Sequence, residues 1–128
     1  MIPMTFEETI MLDLENSVSW LLKNKLLDKN GRIYHSVFLK TENDAKKVLK
    51  HLINKGYKDT YADILEDDDY PFLLEFSKTI KMNKEHIDID IKNILSLLKS
   101  FHYDYNNFTI LIDINGDETK FFNPSEVI

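Results

Sequence analysis

Acidic side chains crowd one short stretch of the chain. Five carboxylates fall within seven residues, at Asp63, Glu66, Asp67, Asp68 and Asp69. Their mutual repulsion keeps such a run solvated and extended, and carboxylate oxygens suit either a basic protein surface or a hard cation such as calcium. Because the run lacks the spacing of known calcium loops, it predicts no metal site. We expect a surface loop that either binds a basic protein patch or is simply a solvated turn.

A second acidic stretch, from Asp113 to Glu118, is better explained as a turn. Its glycine, Gly116, stands fourth, whereas an EF-hand loop has glycine sixth and a glutamate twelfth. The Asn115-Gly116 pair between alternating apolar residues is the preferred sequence of a type I′ hairpin turn. This stretch therefore predicts a β-hairpin.

The four histidines are the remaining candidates for metal ligation or acid–base chemistry, since the chain has no cysteine. None of them shows the HxH or HExxH spacing of zinc sites. His86, Asp88 and Asp90 alternate near the start of a predicted helix, where alternate positions diverge by about 200° and cannot meet on one ion. We expect the two aspartates to favour the helix N-terminus and the histidines to be structural.

Motifs for catalysis and cofactor binding are absent. The chain has three glycines, which form neither a Walker loop nor GxGxxG, and it contains no GxSxG. The sequence therefore predicts a protein that is not an enzyme, with no catalytic residue, no cofactor and no metal.

An aromatic cluster provides the second candidate binding site. Tyr103, Asp104 and Tyr105 precede the last apolar run, and exposed tyrosines are common anchors of protein interfaces. The alternative is that the aromatic side chains close the core. The predicted partner-binding residues are thus the five carboxylates above together with this triplet.

The charge of the chain narrows the class of partner. Its formal net charge is −6 and its pI is about 5.1, which oppose binding to the phosphate backbone of nucleic acid. An acidic surface favours basic partners, including the nucleic-acid-binding faces of nucleases. The sequence has no signal peptide and no apolar stretch near the ~20 residues of a membrane span, so we expect a cytoplasmic protein of unknown oligomeric state.

The apolar pattern predicts an α+β protein with a ferredoxin-like β-α-β-β-α-β core. We expect an antiparallel sheet with two helices on one face, in a single domain over residues 1–128. Its parts are an N-terminal helix over 5–27, a core over 31–114, and a hairpin extension and tail over 115–128. The N-terminal helix either covers an apolar patch of the core or docks on a partner.

The boundaries of the core elements follow from stop and start signals. Strands are expected over 32–39, over 57–65 at a sheet edge, from 71 to 80, over 108–114 and over 117–122. Helices are expected from Thr41 to Gly56 and from Asn83 to about Ser100, after an Asp28 to Gly31 turn with left-handed residues at Asn30 and Gly31.

The order of these elements resembles the RraB family, the regulators of ribonuclease E activity. The resemblance covers roughly residues 14–112. Gly56-Tyr57 matches the Gly-Tyr/Phe that follows the family's first core helix. Tyr103-Asp104 matches the start of its Tyr-Asp-Gly-Trp motif, with Tyr105-Asn106 in place of Gly-Trp. The resemblance implies a non-enzymatic acidic protein that binds a ribonuclease and restrains it.

Three hypotheses for the function remain open. The first is a regulator that binds a basic protein partner such as a ribonuclease. The second is an immunity protein that neutralises a cognate bacterial toxin, since it requires the same small acidic design. The third is a ferredoxin-like domain that binds a small ligand between helices and sheet, which requires convergent polar groups such as His35 near His102.

Overall fold

The computed structural model describes residues 5–66, 68–114 and 118–124. The elements in chain order are α1 (Phe6–Lys23), β1 (Asn30–Leu39), α2 (Glu42–Asn54), β2 (Lys58–Ile64), β3 (Phe72–Lys81), α3 (Lys84–Leu98), β4 (Tyr103–Ile114) and β5 (Glu118–Phe122). They form an α+β protein with an antiparallel sheet. No helix in the described ranges is long and apolar enough to span a membrane.

Each described helix follows an N-cap residue at its predicted start, namely Thr5, Thr41 and Asn83. Thr5 and Glu8 form a capping box, in which each side chain accepts a hydrogen bond from the other residue's backbone N–H. Thr41 Oγ1 accepts from the Asp44 N–H at 3.1 Å, and Asn83 Oδ1 accepts from the His86 N–H at 2.9 Å. These side chains satisfy N–H groups that a helix start leaves without an internal partner.

Helix α1 ends at Lys23, whereas the sequence predicted a helix up to residue 27. Lys25 has a φ of 59°, its N–H donates to Leu22 O, and the Leu26 N–H donates to Leu21 O. This pair of bonds is a Schellman motif, which normally has glycine at the left-handed position. Because the residue at this position is lysine, the sequence did not indicate the end of the helix, and the predicted helix was too long.

The predicted left-handed residues at Asn30 and Gly31 were also wrong. Among described residues of this turn, Lys25 and Asp28 have positive φ, and Asn30 and Gly31 belong to β1. Gly31 is needed for close packing, since a Cβ atom there would lie 2.7 Å from Ile112 Cγ1 and 3.1 Å from Leu111 O. Gly56, with a φ of 91°, does end α2 in a left-handed conformation as predicted.

The sheet has the strand order β2-β3-β1-β4-β5, and every neighbouring pair is antiparallel. Strand β1 is therefore central. Strand β2 lies at an edge, as the sequence predicts. Strand β5 lies close to its predicted position, while the Asn115-Gly116 turn falls outside the described residues.

Strand β4 begins at Tyr103, before the predicted start at Phe108, and it contains a β-bulge. Ser36 pairs with Asn107 but Val37 pairs with Tyr105, which leaves Asn106 as the extra residue. The bulge turns Tyr105 and Phe108 to the same face of the sheet, although they are an odd number of residues apart. It also breaks the apolar alternation by which the sequence predicted this strand.

One face of the sheet carries the core. Buried residues of β1 alternate with more accessible ones, and the buried apolar side chains of the strand share two apolar clusters with helix residues. One cluster joins Val37 and Leu74 to α2 and α3, and the other joins Ile33 and Ile110 to α1 and α3. Helix α1 therefore covers its own chain, with Trp20 stacked on Phe122 at 5.1 Å between ring centroids.

The opposite face of the sheet, which we call the open face, is not covered by these helices. Its positions are the alternate residues of the strands, and antiparallel sheets commonly leave one such face to solvent. In the three inner strands they include Tyr34, Ser36, Phe38, Leu73, Glu75, Asp104, Asn107 and Thr109.

Candidate functional site

The strand pairing brings two predicted partner-binding carboxylates into one row of the open face. Asp63 pairs with Leu73, Leu73 with Phe38, and Phe38 with Asp104. Directly paired residues point to the same side of a sheet, so all four side chains share this face. The two carboxylates stand three strand spacings apart, roughly 14 Å, with the two apolar side chains between them.

A third carboxylate lies one row further along the same face. Tyr61 pairs with Glu75, which pairs with Ser36. Glu75 is half-buried, whereas Asp63 and Asp104 are exposed. We call these six residues the acidic patch: Asp63, Leu73, Phe38, Asp104, Glu75 and Tyr61.

The predicted acidic loop extends the acidic patch at its β2 corner. Glu66, Asp68 and Asp69 are exposed, while Asp67 lies outside the described residues. The loop is closed by a hydrogen bond from the Leu65 N–H to Pro71 O at 2.7 Å. Asp68 Oδ1 accepts from the Tyr70 N–H at 3.0 Å. The charges of Glu66, Asp68 and Asp69 therefore lie together at one end of the sheet.

The structure divides the predicted Tyr103 to Tyr105 triplet between two faces. Asp104 belongs to the open face, and its two neighbours point toward the helices. Tyr103 is half-buried and lines a groove of about 570 Å³ between α1 and α3. Tyr105 is only 5% exposed and sits in the core. A partner on the open face therefore meets Asp104 and not the tyrosines.

A buried polar network lies beneath the helices, and the sequence did not predict it. His35 Nε2 lies 2.6 Å from Asp90 Oδ2, and His35 Nδ1 lies 2.7 Å from the Tyr105 hydroxyl. The Tyr57 hydroxyl donates to Asp90 Oδ1 at 2.6 Å. The network therefore joins β1, α3, β4 and the turn after α2 through side chains that are almost fully buried.

The network explains the direction of each pKa shift in it. Burial would raise the pKa of Asp90, but the hydrogen bond and attraction of His35 and the hydrogen bond of Tyr57 lower it below the ordinary 3.8. Burial, and then the Asp90 carboxylate, raise the pKa of Tyr57. Burial, and then the charge of Asp90, raise the pKa of Tyr105. Both phenols therefore stay protonated at neutral pH.

Two expectations about these residues change. His35 was paired with His102 in the small-ligand hypothesis, but His102 is exposed and His35 contacts Asp90 and Tyr105. Asp88 and Asp90 were expected at the helix N-terminus, but both lie in the second turn of α3, where Asp88 pairs with Lys92 and Asp90 is buried. A signal for this was present, because Asp90 falls between Ile87 and Ile91 on the apolar stripe of the helix.

The network offers little to an outside substrate. His35 is 1% exposed, and each of its ring nitrogens already has a protein partner. Among the described residues, no group of three or more His, Cys, Asp or Glu side chains is placed to hold a metal ion. The arrangement is suited to fixing the helices on the sheet, whereas Asp63 and Asp104 of the acidic patch are exposed to solvent.

The chain is thus an α+β protein with helices on one face of an antiparallel sheet. The other face carries the acidic patch, which is partly apolar. The chain belongs to the RraB family, the regulator of ribonuclease activity B, which matches residues 21–109. The match runs from the end of α1 into β4 and includes the acidic loop, Asp104 and the buried network. A search of curated proteins found no significant match.

Proposed function

We propose that this chain regulates a ribonuclease by binding it through the acidic patch. The observation that carries the proposal is the row in which Asp63 and Asp104 flank Leu73 and Phe38. Protein interfaces commonly combine an apolar centre with a polar rim. Here the rim is acidic, which matches the basic surface with which a ribonuclease holds RNA.

Electrostatics gives this surface its specificity. Complementary charges speed the encounter of two proteins and exclude wrong partners, while apolar contacts supply more of the affinity. Leu73 and Phe38 are available for the second role. Because Asp63 and Asp104 are solvent-exposed, their contribution falls as salt rises.

The proposed mechanism is binding alone, without chemistry by this chain and without contact to RNA. The accessible carboxylates repel phosphates, and the histidine best supplied with polar partners is buried. A ribonuclease whose basic face is occupied in this way loses access to its substrate. The chain would act in the cytoplasm, where that partner meets RNA.

We also propose an assignment of the fold. The order β2-β3-β1-β4 and the element order support a ferredoxin-like core, to which α1 and β5 are additions. Since both apolar clusters draw on α3, we also propose that the chain is one domain.

An inhibition assay tests the proposed function. Purified endoribonucleases of the organism that encodes the chain would cleave a labelled RNA in the presence of increasing amounts of this protein. We expect the cleavage rate of one enzyme to fall, and to recover when ionic strength rises from about 0.05 to 0.3 M. A gel-shift assay with the same RNA should detect no binding by the chain. Unchanged cleavage by every enzyme, or a shifted RNA, would contradict the proposal.

A further inference from the structure

The edge strand β2 is exposed along its whole length. All seven of its residues are accessible, including Tyr61 at 53% and Ile64 at 63% of their surface. Because Ala62 and Ile64 point to the helix side, their exposure means that no described helix covers this edge. An uncovered edge with apolar side chains is a common template for pairing with another chain.

A groove runs beside this edge on the helix side. It has a volume of about 250 Å³ and lies between α2 and the strands β2 and β3. Its apolar lining includes Ala45, Leu49, Ala62, Ile64, Phe72 and Leu74. The groove can therefore receive a large apolar side chain from a segment that lies along β2.

The backbone of β2 has hydrogen-bonding groups for such a segment. The Leu65 N–H points toward β3, where it bonds Pro71 O, so the N–H groups of Ala62 and Ile64 point outward in the alternating antiparallel pattern. The Ile64 N–H already bonds Asp63 Oδ1 at 2.8 Å. The Ala62 N–H is thus the outward donor best placed to pair with an added strand.

The charges around the edge of β2 favour a basic segment as the occupant of the groove. Glu42 and Asp63 stand on the rim of the groove, and the acidic loop follows β2 directly. Among the described residues that line the groove, Lys46 is the one cation, and it is paired with Glu42 at 3.1 Å. A second copy of this chain, with its own net charge of −6, is a poor match to such an edge.

We propose that β2 takes up an extended basic segment of the protein partner as a sixth strand, with one apolar side chain in the groove beside α2. This mode of recognition uses main-chain hydrogen bonds for affinity and alternate side chains for specificity. The basic side chains of the segment would lie on the open face, next to Asp63 and Tyr61. The inference rests on the proposed function and names the kind of segment that the ribonuclease would supply.

A synthetic peptide tests the proposal directly. The probe is Val-Lys-Val-Lys-Leu-Lys-Val-Lys-Val, whose apolar and basic side chains alternate as an added strand requires. One control peptide is N-methylated on the edge that would face β2, and the other has serine at every apolar position. We expect both controls, which keep all four lysines, to bind at least about tenfold more weakly than the probe. Equal affinities would show attraction by charge alone and would overturn the proposal.

Amide hydrogen exchange gives an independent readout. Bound probe should slow exchange at the Ala62 N–H, and Ala62→Pro should abolish probe binding while Ala62→Ser preserves it. Proline is tolerated at an edge position whose N–H faces solvent, so β2 and β3 should stay paired. Protection confined to β5, or a probe-independent dimer that protects Ala62, would contradict the assignment.

The same variants separate this inference from the proposed function. Loss of ribonuclease binding in Ala62→Pro but not in Ala62→Ser would support both. Full ribonuclease binding by Ala62→Pro would refute the edge-strand inference and leave the proposed function standing. Selective binding of the probe by a chain that binds no ribonuclease would refute the proposed function and leave the edge site standing.

Discussion

The imidazole of His35 and the carboxylate of Asp90 meet at 2.6 Å in the core, although 55 residues separate them in the chain. His35 is 1% exposed and Asp90 4%. A buried charge is tolerated only when its hydrogen bonds are satisfied, and here Tyr57 supplies another donor to the carboxylate. This contact fixes the position of α3 over the central strand.

Removal of Asp90 should therefore be costly. We expect Asp90→Ala to lower the free energy of unfolding by about 3–5 kcal/mol, because it leaves the polar groups of His35 and Tyr57 buried without their partner. Urea denaturation measures the loss. Asp88→Ala is a suitable control, since Asp88 pairs with the exposed Lys92 and should cost less than about 1 kcal/mol. Equal losses of unfolding free energy in the two variants would show that the buried contact stabilises the fold no more than the exposed ion pair does.

The stability that Asp90 provides should depend on pH in a defined direction. Its pKa is lower in the folded chain than its ordinary 3.8, so the folded state favours the ionised carboxylate. This contribution is fully present above pH 3.8 and is lost as the pH falls through the folded-state pKa. The stability difference between wild type and Asp90→Asn should therefore shrink on acidification below pH 3.8. If the stability difference grew on acidification instead, the pKa of Asp90 would be raised by folding and the prediction would be wrong.

Asp13 should show the opposite behaviour. It is 8% exposed on α1, and burial raises the pKa of its carboxyl above 3.8. The ionised form therefore opposes folding at neutral pH. We expect Asp13→Asn to be more stable than wild type at pH 7, with the gain fading as the pH falls toward 3.8. Thermal unfolding at several pH values measures this, and a constant or inverse difference would contradict it.

Replacement of Lys25 by glycine should increase the stability of the chain. Its φ of 59° places a side chain in the left-handed region, which costs a residue other than glycine about 1 kcal/mol. Lys25→Gly should therefore stabilise the chain by about 0.5–1 kcal/mol in urea denaturation. Lys29→Gly, a nearby position without positive φ, is the control and should not stabilise. A loss of stability in Lys25→Gly would mean that the lysine side chain makes a larger contribution than this strain.

Local signals in the sequence predicted most of the fold. The capping residues Thr5, Thr41 and Asn83 gave the helix starts, and Gly56 gave the end of α2. Two errors occurred where a usual signal was missing: Lys25 occupies a glycine position, and the bulge at Asn106 interrupts the alternation of β4. A third occurred where Asn30 and Gly31 gave a turn signal, although they belong to β1. At Lys25 and Asn106 the residue types give no sign of the backbone conformation that the chain adopts.

The sites were harder to predict, because their residues meet only through pairing of distant segments. Asp63 and Asp104 were predicted separately, but their common row depends on the order and register of four strands. The carboxylate of Asp90 likewise finds His35 only once α3 packs on β1. Sequence patterns give the face of each element and do not give the partner across the core.

One binding measurement tests the central claim, that the acidic patch binds the ribonuclease. The dissociation constant would be measured at low salt for wild type, for Asp63→Asn with Asp104→Asn, and for Glu15→Gln with Glu85→Gln. Each double variant removes two exposed carboxylates, and the second pair lies on the helices away from the patch. We expect the patch variant to bind at least about fivefold more weakly, and the helix variant to bind like wild type. Equal effects in the two variants would show that only net charge matters and would contradict the account.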